Sequence, residues 1–163
     1  MNLMASTVLT GVGATAAMDL WGLVRRRLFG VPVANYAHVG RWIGHMPRGR
    51  FRHEVIGRAA PIRHEAFIGW TAHYLIGIAF AGLLPALWGA SWFCDPSLAS
   101  ALTVGLGTVL APFMLMQPGM GAGLFARRAP RPATARLHST ATHAIFGLGL
   151  YLSAFALRFD CAP

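Results

Sequence analysis

The uncharged stretch from Ala66 to Gly89, AFIGWTAHYLIGIAFAGLLPALWG, constrains this chain more than any other feature. A bilayer hydrocarbon core about 30 Å thick needs about 20 apolar residues of helix, and this stretch has a few to spare. It carries one histidine, His73, on a strip Gly69, His73, Gly77, Ala81 at four-residue spacing. Small residues thus flank the imidazole and leave room for a second helix to approach. A chain containing such a segment is expected to be a membrane protein, with chemistry expected around His73.

Three further apolar segments complete the pattern. The expected architecture is all-α, an integral membrane four-helix bundle in a single membrane domain, with spans at about 3–24, 66–89, 98–120 and 137–157. The loops 25–65 and 121–136 join them, so a long basic loop lies between helices 1 and 2. Composition agrees: 12% of residues are charged, against about 25% in soluble domains. Pro112 lies inside the third span and predicts a kink there. Within the long loop, Asn35 to His45 reads as a short helix, capped by Asn35 and stopped before Pro47, with Tyr36 and Trp42 suited to the headgroup level.

Charge placement sets the expected topology. The formal charge is +9, and every one of the 14 basic residues is arginine. Nine arginines fall in the loop after the first span and four in the loop after the third, whereas the link between spans two and three has none. Positive residues stay inside, so both basic loops are expected in the cytoplasm of a bacterial inner membrane and both termini in the periplasm. Arginine-rich segments beside spans point to the lipid bilayer and its anionic headgroups as partners, not to nucleic acid. His45, Arg48, Arg50 and His53 form the densest basic group, suited to lipid phosphate, to an anionic substrate or to a solvated loop that holds topology. Cys94 and Cys161 fall on the same outer side, where an oxidising compartment permits a disulfide. The first apolar segment has its arginines after it, so it reads as a span and not a cleavable leader.

Polar residues inside the spans line up in depth. Asp19 is about 9 Å from the basic end of its helix, His73 about 12 Å from Glu65 and His143 about 10 Å from Arg136, at 1.5 Å per residue. Gln117 lies near the end of the third span. Asp19, His73, Gln117 and His143 are therefore expected to form a buried layer, and three readings of it stay open. His73 and His143 can ligate a transition metal or haem, with Asp19, Gln117 or Met116 as further ligands or supports. The layer can instead share a proton or bind a small molecule, as a proton-coupled or small-molecule-binding membrane component. Or it is a hydrogen-bond network of a structural membrane subunit. Four spans are few for a transporter, so transport would call for a homo-dimer built on the Gly/Ala-rich faces.

Enzyme signatures are mostly missing. Gly11-Val-Gly13-Ala-Thr-Ala16 matches a dinucleotide fingerprint in letters, but no strand precedes it and Tyr36 stands where the acidic residue belongs. There is no Cys-x-x-Cys, no His-Glu-x-x-His, no phosphate loop and no Gly-x-Ser-x-Gly.

Several stretches together carry a resemblance: Met18-Asp19-Leu-Trp21; Val39-Gly-Arg41-Trp42-Ile-Gly44-His45-Met-Pro-Arg48-Gly-Arg50; Gly69-Trp70 with His73-Tyr74 and Gly77; Met116-Gln117-Pro118; and Ala135-Arg136-Leu137 with His143. With these residues the chain resembles domain-of-unknown-function family 2938, small four-span bacterial inner-membrane proteins, over nearly its whole length. The resemblance implies a four-span membrane protein and supplies no mechanism. It also implies a role for His45 and the basic segment after it, as a loop folded back over the cytoplasmic mouth of the bundle.

Overall fold

A computed structural model describes residues 2–158. Among the described residues the chain is all helical: α1 Leu3–Phe29, α2 Tyr36–His45, α3 Glu65–Ala81, α4 Leu83–Trp88, α5 Leu98–Gly107, α6 Gln117–Met120 and α7 Pro132–Leu157, with short 3-10 turns between several of them. Four stretches are long and apolar enough to cross a membrane: Leu3–Phe29, Glu65–Trp88, Leu98–Met120 and Pro132–Leu157. Large apolar side chains such as Leu23, Phe67, Leu115 and Leu137 stay exposed along them.

Proline explains where two of these stretches break. In the second, α3 stops at Ala81 and α4 starts at Leu83. Pro85 lacks the N–H that would bond to the Ala81 carbonyl four residues back, so the helix steps aside there. In the third, the break predicted at Pro112 is present and wide. Helix α5 ends at Gly107, and Pro112–Met116 forms a π turn before α6.

The chain divides into two compact units. Among the described residues the first comprises 2–33, 74–108 and 141–158. Its core holds Ala14, Leu84, Trp92, Phe93, Val104, Phe146 and Leu150. Its helices meet through small residues: Gly11 faces the backbone of Gly77 and Ile78, and Gly105 faces Gly147 so closely that a Cβ on Gly105 would lie 2.5 Å from the Gly147 Cα. With no side chains in the way, dispersion between backbones is gained over a long contact.

The second unit comprises residues 34–73 and 109–140. Here α2 begins where the Asn35 side chain accepts from the Ala37 amide at 3.1 Å. It packs against the first half of α3 through Gly40 and Gly69. A Cβ on either glycine would run into the other helix's backbone. The strip read as a span-to-span face thus meets, at Gly69, the loop helix.

Arg41, on α2, ties this unit together. Its Nε donates to Glu65 Oε2 at 2.8 Å and its Nη2 to Oε1 at 2.7 Å. Its Nη1 reaches the carbonyls of Ile56, Gly57 and Ala59 at 3.1–3.3 Å. Glu65 also accepts from the Ile62 amide at 3.1 Å, so one guanidinium and one carboxylate fix both ends of the segment 56–65.

Candidate functional site

The second unit holds a histidine pair where α2 ends. His45 closes the helix and is 4% exposed. Its Nε2 lies 2.9 Å from the Ala60 carbonyl, which only accepts, so Nε2 carries a proton. That Nδ1 is buried with no hydrogen-bond partner. The ring of His53 stands edge-on to it, with centroids 5.1 Å apart, and its Nε2 is likewise buried and unpartnered. Burial, followed by the positive potential of His45 and Arg50, holds the His53 imidazole below its ordinary value. Arg48 and Arg50 are exposed on the turn between the two rings.

The loop after His45 is held by α6. The His53 amide donates to the Gly119 carbonyl at 2.9 Å, and the Trp42 indole, packed over Gly119, donates to the Phe51 carbonyl at 2.9 Å. Gly121 turns with φ +104° directly against the Glu54 carbonyl, where a side chain would not fit. Two residues before Gly119, the Gln117 amide nitrogen reaches Ser139 Oγ at 3.5 Å, and Gln117 Oε1 is buried without a partner. Three orphaned polar atoms therefore belong to this one unit.

The four residues of the expected intramembrane layer have separate partners. Asp19 Oδ2 accepts from the Tyr74 hydroxyl at 3.1 Å, and His143 Nδ1 lies 3.1 Å from Thr108 Oγ1, both in the first unit. The Thr108 hydroxyl spends its one proton on the Gly105 carbonyl at 2.7 Å, so it must accept from His143, which places the proton on Nδ1. His73 and Gln117 lie in the second unit. His73 Nε2 shares a 2.8 Å hydrogen bond with the Tyr36 hydroxyl, the two rings stacked at 4.1 Å, and Trp70 packs 4.4 Å from Tyr36. Among the described residues no three His, Cys, Asp or Glu side chains converge as a metal centre would require. Cys94 lies in the link before α5, and Cys161 lies outside the described residues.

Residue patterns alone left several of these roles out. Tyr36 and Trp42 read as headgroup anchors, whereas the structure gives their polar atoms partners inside the unit. No residue pattern marks Tyr74 and Thr108 as partners, nor the Arg41–Glu65 clamp, which strengthens the guanidinium's hold on its proton by a hydrogen bond to the carboxylate. Arg41, Trp42 and Tyr74 stand within the stretches that carry the family resemblance, whereas Thr108 carries no such signal.

No curated protein and no solved structure matches the chain. The model of a family described as protein of unknown function (DUF2938) matches residues 8–157, nearly the whole sequence, and the chain belongs to that family.

Proposed function

We propose that the chain is a multi-pass protein of the bacterial inner membrane, a four-helix bundle with both termini in the periplasm, whose second unit binds a small polar ligand or a proton at His45 and His53 of the cytoplasmic loop and Gln117 at the end of the third span. The exposed apolar side chains along four span-length helices support the membrane reading, because water would penalise a surface that lipid accepts. The arginine distribution supports the orientation and brings anionic headgroups to Arg48 and Arg50. The same topology puts Cys94 in an oxidising compartment, and Cys94 is not a free thiol.

One observation carries the functional part: His45 Nδ1, His53 Nε2 and Gln117 Oε1 are buried and unpartnered in a single unit. Leaving a buried polar atom unpaired costs about 1–3 kcal/mol, so three such atoms need an occupant that repays them. Gln117 Oε1 is a carbonyl oxygen and accepts, and His45 Nδ1 accepts when the ring is neutral, its Nε2–H being spent on the Ala60 carbonyl. They call for a donor, met by a proton or by a ligand bearing O–H or N–H groups.

The test compares wild type, a His45→Ala, His53→Ala variant and a His73→Ala, His143→Ala variant, each purified in mild detergent. Elemental analysis and mass spectrometry of released small molecules are run on all three. A molecule lost only from the His45/His53 variant supports the proposal. So does a coupled, two-step titration of the two rings by NMR where no molecule is retained. Iron, copper or zinc lost only with His73 and His143 would move the function to a metal or haem site in the spans. No retained molecule together with independent single-step titrations would overturn the reading.

A further inference from the structure

The first unit contains a cleft of its own, about 590 Å³, in the link between α4 and α5. Two tryptophans, Trp88 and Trp92, and the carboxylate of Asp95 line it, with Ser91, Ser97 and Ser100 beside them. Asp95 is exposed and makes no ion pair among the described residues. From Arg63 to Arg127 the sequence contains no arginine, so nothing in the cleft's own segment neutralises it.

The Ser100 hydroxyl is spent. The Trp92 indole donates to Ser100 Oγ, which itself donates to the Ser97 carbonyl at 2.9 Å, and Ser97 Oγ accepts from the Ser100 amide at 3.4 Å. These bonds lock Trp92 in place, so the cleft recognises a ligand through indole surface, one negative charge and the Ser91 and Ser97 hydroxyls. Trp88 is 43% exposed, so its indole is open to an incoming group. Aromatic faces attract cations through their quadrupole, most strongly for tryptophan, and a carboxylate beside them supplies the countercharge.

We propose that this cleft binds an organic ammonium group, with the cation over the Trp88 indole and its charge offset by Asp95. The same head chemistry occurs on a soluble alkylammonium and on the ethanolamine headgroup of a membrane lipid. This inference rests on a different unit from the histidine pair and does not depend on what that pair binds.

The full chain is reconstituted in nanodiscs of phosphatidylglycerol, which has no amine, and titrated with ethylammonium against sodium at equal ionic strength. Intrinsic tryptophan emission is read, and Asp95→Asn keeps every fluorophore. We expect a saturable response to ethylammonium that Asp95→Asn weakens by about tenfold and Trp88→Leu weakens comparably. Discs containing phosphatidylethanolamine separate the two sources. Competition that shifts the midpoint upward in wild type identifies the lipid headgroup as occupant, and an unchanged midpoint identifies a soluble ammonium. A response no larger than that to sodium, or one that survives Asp95→Asn, would leave the tryptophans as interfacial anchors only and overturn the proposal.

Discussion

Replacing Arg41 with alanine should open the segment 56–65 while leaving the first unit folded. The guanidinium makes two bonds to Glu65 and three to backbone carbonyls, and the variant leaves the carboxylate with the Ile62 amide as its remaining described donor. Hydrogen bonds to charged groups contribute about 1.5–3 kcal/mol each when shielded, and removing one partner of a fully buried pair costs about 3–5 kcal/mol. These side chains are 12% and 18% exposed, so water recovers part of the loss. The expected cost is therefore about 2–3 kcal/mol, equal to a rise of about 30- to 140-fold in opening. Amide hydrogen exchange of residues 56–65, measured by mass spectrometry on protein in nanodiscs, reads that factor directly. Arg41→Lys keeps the charge and loses the fork, so it should fall between, at about tenfold. Exchange within about threefold of wild type for Arg41→Ala would refute the claim that the clamp holds this segment.

Gly69→Val places a branched side chain against the Tyr36 carbonyl, so α2 must lift from α3 at a cost of about 2 kcal/mol or more; unchanged tryptophan emission and unchanged exchange over residues 36–45 would count against that contact. Thr108→Val removes the acceptor for His143 Nδ1–H, so nitrogen NMR should show the proton move to Nε2, and an unmoved tautomer would break the assignment. His53 has its folded value below its ordinary 6.5, so the unfolded chain binds more protons between the two values. Its contribution is intact above pH 6.5 and is lost as pH falls through the folded value, which should appear as faster exchange over residues 51–56 that His53→Gln abolishes. Equal pH slopes in both proteins would remove His53 as the cause.

Much of the frame is a property of short stretches. Apolar runs of about 20 residues suffice to mark helices of spanning length, because hydropathy sums along the chain regardless of neighbours. The Asn35 cap and Pro47 bound α2 by local backbone chemistry, and Pro112 interrupts the third span because a missing N–H is a fact about one residue. Pro85 carried the same signal for the break after Ala81. The grouping of His45 with His53 was also within reach, since only a short turn separates them.

Pairing between distant residues could not be read in this way. Tyr74 and Asp19 are 55 residues apart, Tyr36 and His73 37, Thr108 and His143 35, and Arg41 and Glu65 24. Equal depth in a membrane groups Asp19, His73, Gln117 and His143, but helical rise gives height and says nothing about the rotation and neighbour of each helix. Those were decided by packing, where Gly40 against Gly69 and Gly105 against Gly147 allow backbones to touch and so set which side chains meet. By itself, then, the sequence determined the number of span-length apolar stretches and their charge flanks, which depend on sums over neighbouring residues. Only the tertiary structure decided the partners of each polar group and which buried atoms were left without one, because a hydrogen bond depends on the position of two atoms that the chain order does not place.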